Sequence, residues 1–281
     1  MKKNIKISVA SGKGGTGKTL VSVSLALSIN NVQFIDCDVE EPNAHIFLKP
    51  EIEIEKSVGI PVPEIDKNKC SLCGECGKIC EYHAIVNLKR DVLVFYELCH
   101  GCGGCSIVCP EKAIKEKERE IGILRKGKFN GDNEFIDGIL NPGEPLSPPL
   151  IRNLKKEIKN DKTVIIDCPP GTSCPVVESI KGTDFCILIT EPTPFGLNDL
   201  TLAVEVLKKL KIPYGVIINK CDSKYNEVEK FCKKENIGIL MKIPYKRDIG
   251  VAYSKGKSLI EASPQYKKEF QDLLNRIVKI V

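Results

Sequence analysis

Short, nearly continuous apolar runs recur along the chain, separated by longer stretches in which apolar and polar residues alternate at helical spacing. The runs "IKISVA" (5–10), "VQFID" (32–36), "TVIID" (163–167), "DFCILIT" (184–190), "YGVIIN" (214–219) and "IGILMKI" (237–243) predict buried strands. Stretches 18–29, 150–160, 198–210 and 223–235 predict helices between them. Strands alternating with helices imply an α/β fold with a mostly parallel sheet covered by helices on both faces. Ligands then bind at the carboxyl ends of the strands. The last stretch, 267–281, places Phe270, Leu273, Leu274, Ile277, Val278 and Val281 on one stripe. It predicts a core-facing helix rather than a membrane-binding one, because its polar face carries few bases beyond Lys267, Lys268, Arg276 and Lys279.

Composition narrows the class. The chain has 281 residues, 42% hydrophobic and 28% charged, with a net charge of +5 and acids and bases interspersed. That is a solvated surface and excludes a nucleic-acid footprint. No apolar run reaches the roughly 20 residues that cross a bilayer. The opening "MKKNIKISVASG" reads as a first strand rather than a signal peptide, so a cytoplasmic protein without stable membrane anchoring is expected. Fourteen cysteines in such a compartment point to metal rather than disulfides, and eight of them lie between Cys70 and Cys109.

Those eight form an internal repeat. "CSLCGECGKICEYHAI" recurs as "CHGCGGCSIVCPEKAI", each half reading C-x2-C-x2-C-x3-C, and Cys70, Cys73, Cys76 and Cys80 map onto Cys99, Cys102, Cys105 and Cys109. Zinc sites pair two short knuckles across a longer spacer. Here three cysteines share one tight loop and a fourth follows at once, which suits iron–sulfur clusters better. This segment resembles a bacterial two-cluster ferredoxin. The resemblance implies two [4Fe-4S] clusters, one on Cys70, Cys73, Cys76 and Cys109, the other on Cys99, Cys102, Cys105 and Cys80. Pro110 fits the family's proline after the fourth cysteine; Glu81 replaces the first such proline.

Between the first strand and the first helix lies G-x-x-x-x-G-K-T, from Gly12 to Thr19. In that context it predicts a phosphate-binding loop made by Gly12, Gly14, Gly15, Thr16, Gly17, Lys18 and Thr19, with the helix N-terminus aiding it. Lys18 would reach the β- and γ-phosphates and Thr19 would hold magnesium. Asp36, Asp38, Asp167 and Asn219 fall at the ends of other strands, where they support the same site.

Lys13 together with Lys18 in "KGGTGKT" resembles the deviant Walker A signature of the MinD/Mrp/nitrogenase-iron-protein class. "DCDVEEPN" (36–43) is similar to its first switch, "DCPPGT" (167–172) to the second switch of the Mrp branch. Asn219-Lys220 and Ile243-Pro244 resemble its adenine-contacting positions. The whole chain resembles MinD-superfamily ATPases with an inserted ferredoxin domain. The resemblance implies Mg-ATP as cofactor, Asp38 positioning the attacking water, Asp36 near magnesium and Asp167 holding it through water. It also implies Asn219 and Pro244 at adenine, and Lys13 crossing a nucleotide-dependent homodimer to the partner's phosphates. Lys246 stands where the class often has an acid.

The expected organisation is ATPase in 1–59 and 119–281, with a small α+β ferredoxin domain in 60–118. Residues 50–64 would be the linker into it, 115–121 a charged exit, and 126–149 a Gly/Pro-rich loop over the nucleotide side. Of the six scattered cysteines, Cys37, Cys168 and Cys186 read as core, and Cys174 as the most exposed. Three roles compete: an ATPase coupled to electron transfer through the clusters, an Mrp-type cluster carrier, and a MinD-type positional organiser. The last has no use for eight ligand cysteines. The second is weakened because the carriers' C-x2-C near the C-terminus is absent, Cys221 and Cys232 being too far apart. Electron transfer is therefore the first expectation and cluster carriage the alternative, with a redox or apo-protein partner in either case.

Overall fold

The apolar runs become strands of one nine-stranded sheet in the computed structural model, which describes residues 4–221 and 225–281. In chain order the strands are β1 (Lys6–Ala10), β2 (Val32–Asp36), β3 (Glu51–Ile65), β4 (Ile85–Asn87), β5 (Val92–Val94), β6 (Ile114–Phe129), β7 (Asn133–Leu140), β8 (Thr163–Asp167), β9 (Phe185–Thr190), β10 (Tyr214–Ile218) and β11 (Ile239–Lys242). The sheet runs β11-β10-β9-β1-β8-β2-β7-β6-β3, and β4-β5 form a separate pair. From β11 to β7 neighbouring strands are parallel, and Asp36 and Asp167 lie in register on β2 and β8. Two acids from distant sequence thus meet at one carboxyl edge.

Helices Lys18–Ser28, Pro194–Leu210 and Tyr266–Ile280 follow the expected stretches closely. The helix expected over 223–235 is Glu227–Lys234; residues 223 and 224 lie outside the described residues. The helix expected over 150–160 is shorter, Pro148–Lys155.

The chain divides into two compact units. The first comprises Met1–Glu55, Leu124–Ile139 and Ile151–Val281. Its core joins Ile7, Val9, Phe34 and Ile165 of the sheet to Leu20, Val21 and Leu25 of the helix after the phosphate loop. The last helix adds Phe270, Leu273 and Ile277 to the same core, each fully buried. Burial of each such side chain contributes about 1.5–3 kcal/mol, so this helix is a structural wall of the core. No helix among the described residues is long and apolar enough to cross a membrane.

The second unit comprises Lys56–Ile123 and Leu140–Leu150. Its small core is Cys76, Ile85, Val92 and Ile114, with Cys70, Cys80, Cys105 and Cys109 packed against it. Two short helices, Glu75–Ile79 and Gly104–Val108, contact each other, and each starts behind a left-handed glycine, Gly74 (φ 84) and Gly103 (φ 73).

The expected linkers are corrected by strands. Residues 50–64 are almost all in β3 and 115–121 are inside β6. Residues 126–149 begin as β6, turn at Asn130 (φ 43) and Gly131 (φ 84), and return as β7 beside β2. Two successive left-handed residues make a tight hairpin whose twist suits its strands. Half-buried Arg125 pairs with buried Asp137 on these strands, with Nε to Oδ1 at 3.0 Å.

Candidate functional site

The phosphate loop follows β1 and ends on the helix Lys18–Ser28. Its shape depends on two close approaches. A Cβ on Gly12 would lie 2.4 Å from the Asp199 carbonyl oxygen, and one on Gly17 (φ +94) would lie 2.4 Å from Asn219 Nδ2. Glycine is the residue that fits both places. Asn219, at the end of β10, donates through Nδ2 to the Thr16 carbonyl at 2.8 Å and accepts from the Lys220 amide at 2.9 Å. Lys220 Nζ caps the Gly15 carbonyl at 3.1 Å, and Gly171 N–H donates to the Ser11 carbonyl at 3.0 Å. The loop is therefore tied to the segments after β8 and β10 before any ligand arrives.

A cleft of about 530 Å³ opens beside it. Of the expected residues, Gly15, Gly17, Lys18, Thr19, Asn219 and Pro244 line it. Gly12, Gly14, Thr16 and Lys13 belong to the same loop without lining the cleft. The opposite wall is Tyr245, Lys246, Arg247, Ile249 and Tyr253, and Tyr253 stacks on Phe47 with ring centroids 4.7 Å apart.

Three acids gather at the phosphate end. Asp167 is buried and neither of its oxygens meets a hydrogen-bond donor. The hydroxyls of Thr19 and Ser22 are its neighbours, outside hydrogen-bond geometry. Burial raises its pKa while the Lys18 charge draws it back. Thr16 Oγ1 is likewise buried without a partner. Orphaned groups of this kind fit a phosphate and a hydrated cation, which would supply the missing partners. Asp38 is partly buried; burial pushes its carboxyl up to about 6, against the pull of Lys18.

Asp36 differs. Its Oδ1 accepts from Asp38 N–H at 3.1 Å, and its Oδ2 from Asn43 N–H at 3.2 Å and Ala44 N–H at 3.1 Å. Its carboxylate holds the loop after β2 in shape, and burial with the neighbouring Asp167 raises its pKa. The resemblance placed Asp36 at magnesium; here the acid with free oxygens is Asp167.

The cysteines of the second unit group into two pockets. One is lined by Cys70, Cys73, Cys76 and Cys109, with Ser71, Leu72, Asn87 and Glu111 around them. The other is lined by Cys80, Cys99, Cys102 and Cys105, with Tyr82, His100 and Glu116. Backbone N–H groups donate to two of the sulfurs at matching positions of the repeat: Ala84 to Cys80 Sγ and Ala113 to Cys109 Sγ, both at 3.3 Å. Among the described residues no three Cys, His, Asp or Glu side chains converge to grip a single ion. Each quartet borders an open pocket instead.

The profile of the CobQ/CobB/MinD/ParA nucleotide-binding domain (CbiA) matches residues 7–260. The chain belongs to the MinD/ParA family of P-loop ATPases. An uncharacterised protein of Methanocaldococcus jannaschii is 32% identical, the match covering 98% of this chain and 95% of that one. An iron–sulfur cluster carrier protein of Pyrococcus horikoshii is 25% identical over 97% of this chain and 85% of its own. In fold, the chain is similar to the septum site-determining protein MinD of Pyrococcus horikoshii in complex with Mg-ADP. That likeness has a TM-score of 0.60 at 19% identity and covers 99% of this chain and 97% of the other.

Within this MinD/ParA-family site, Lys13 is held by Glu191. Its Nζ lies 3.6 Å from Glu191 Oε2, while Lys220 Nζ takes Oε1 at 2.6 Å. Glu191 had no place in the sequence reading, nor did Tyr245, Arg247 or Tyr253. Glu191 directly follows β9, the kind of strand-end position that could have flagged it. Cys37, Cys168 and Cys186 are buried core residues and Cys174 is exposed, as read from sequence.

Proposed function

We propose that this protein is an ATP-hydrolysing, dimerising iron–sulfur protein that holds two [4Fe-4S] clusters in its smaller unit and delivers clusters to apo-proteins under control of the nucleotide cycle. The observation that carries the iron–sulfur part is the pairing of cysteines. Each pocket takes three sulfurs from one half of the repeat and the fourth from the other, and the fourth is already an acceptor from a backbone N–H. Such N–H donors orient a thiolate and support its negative charge. Burial raises the pKa of Cys76 and Cys99 and pushes Cys105 up to about 11, a cost of forming thiolates that bound iron would offset.

In the ATPase unit, Lys18 and Thr19 would receive the phosphates and magnesium, Asp167 would bind the cation through its waters, and Asp38 would orient the attacking water. Lys13 would exchange Glu191 for the phosphates of the partner subunit and neutralise charge there, as an arginine finger does. Cluster delivery is favoured over the other coupling by the cluster carriers among the relatives. Electron transfer is the second reading, favoured by the full complement of four cysteines in each pocket.

The deciding experiment loads the protein with iron and sulfide, adds Mg-ATP, and follows both cluster occupancy and transfer to an apo-ferredoxin. Delivery predicts ATP-dependent loss of cluster here matched by gain there. Constant occupancy with ATP-accelerated oxidation by a dye would overturn delivery in favour of electron transfer.

A further inference from the structure

The two cysteine pockets are built from one repeat, so their differences are informative. Several paired lining positions break the symmetry, Asn87 against Glu116 among them, and three bear on how the loops are shaped. Ser71 in the first half corresponds to His100 in the second, Leu72 to Gly101, and Glu111 to Tyr82.

In the pocket of Cys80, Cys99, Cys102 and Cys105, Tyr82 and His100 stack face to face, ring centroids 3.5 Å apart and planes within 5°. This pair joins the cysteine loop to the turn after Cys80. Gly101 in the same loop lies against β3: a Cβ there would sit 3.0 Å from the Pro61 carbonyl oxygen and 3.2 Å from Pro61 Cδ. Its left-handed φ of +65 is one that glycine adopts without strain.

The pocket of Cys70, Cys73, Cys76 and Cys109 lacks both the ring stack and the glycine; its loop is tied instead by Asn87, whose Nδ2 donates to the Gly74 carbonyl at 3.1 Å. A serine and an exposed glutamate replace the stacked rings. Leu72 takes the glycine's left-handed backbone, φ 59, where its Cβ crowds the main chain, and its side chain stands 40% exposed. One loop turns on a glycine and is held by stacked rings; the other turns on a strained leucine and has no ring stack.

We infer that the two pockets hold their clusters unequally: the Cys70–Cys73–Cys76–Cys109 quartet releases its cluster first, while the Tyr82–His100 stack retains the other. The inference rests on the proposed cluster binding. In release to an acceptor, the iron bonds to Cys70, Cys73, Cys76 and Cys109 exchange for bonds to four acceptor thiolates. No oxidation state changes, and the freed thiolates take protons from water.

The test uses the full-length reconstituted protein, anaerobic, challenged with bathophenanthroline disulfonate while released iron is measured. Two phases of equal amplitude are expected, at least about tenfold apart in rate, the factor given by about 1.4 kcal/mol in barrier. Cys73→Ala should abolish the fast phase and leave the slow one. Tyr82→Ala should bring the slow phase up towards the fast, while Tyr82→Phe, which keeps the stack, should preserve it. Leu72→Gly removes the strain on an exposed loop and should slow the fast phase even if Tyr82→Ala proves unstable. Release of all the iron in one phase, or loss of the slow phase in Cys73→Ala, would overturn the inequality alone. A protein that takes up no iron would overturn the cluster binding and the inequality together.

Discussion

The two units prepare for their ligands in opposite ways. In the ATPase unit, key groups are buried and left without partners: both Asp167 oxygens and the Thr16 hydroxyl. In the cysteine unit, Cys80 and Cys109 already accept backbone N–H donors. The nucleotide site therefore bears a cost that a ligand relieves, whereas two of the pocket sulfurs have their donors before anything binds. A buried acceptor without a donor costs about 1–3 kcal/mol, and that is free energy a bound nucleotide and cation can recover.

The largest expected effect lies on the cycling side. Lys13→Ala should lower kcat for ATP hydrolysis about 10³-fold, the scale of a lost arginine finger, while calorimetry shows ADP binding unchanged. Normal hydrolysis by that variant as a monomer would make the Lys13–Glu191 contact mere surface pairing.

Next in size is a pair of substitutions that should move stability in opposite directions. Arg125→Ala leaves the buried Asp137 carboxylate unpaired and should cost about 3–5 kcal/mol in denaturant unfolding. Asp167→Asn removes a buried charge that no hydrogen-bond donor meets and that the Lys18 charge offsets only in part. It should stabilise the ligand-free protein by about 1–3 kcal/mol and abolish the stabilisation given by Mg-ADP. A destabilised Asp167→Asn protein would end the claim that this site waits unsatisfied.

The same acid sets a pH dependence. Its folded pKa is raised, mainly by burial. Its penalty is absent below the ordinary carboxylate value near 4, grows as pH rises towards the raised value, and is complete above it. Thermal melts of the wild type and Asp167→Asn should therefore converge at low pH and separate as pH rises through that window. The smallest effect is expected from Glu191→Gln. It frees Lys13 from one charge in a partly exposed pair worth no more than about 1 kcal/mol, and should raise ATP-dependent dimerisation modestly by analytical ultracentrifugation.

Much of the fold was legible because its signals are local. The strands "VQFID" and "TVIID" were read to the residue as β2 and β8. The misread region is equally instructive. Glu51–Glu55 alternates Glu and Ile, the period of a strand, yet its charge suggested a linker; it opens the 15-residue strand β3. Asn130-Gly131 is a strong hairpin signal, masked by the glycines and prolines around it. In both stretches the periodicity carries the information and the composition conceals it.

From the sequence alone came the phosphate loop, the two lysines within it and the doubled cysteine spacing, because each is a short arrangement of residues whose chemistry depends on its own spacing. Tertiary structure decided which acid is engaged and which lacks donors, since the 38–44 loop brings N–H groups to Asp36 and none to Asp167. It decided that Lys13 rests on Glu191, from a strand far along the chain. It also decided that His100 stacks on Tyr82, a contact that Ser71 and Glu111 cannot make in the equivalent pocket. Contacts between residues distant in sequence depend on how the elements pack, and no spacing within one segment encodes them.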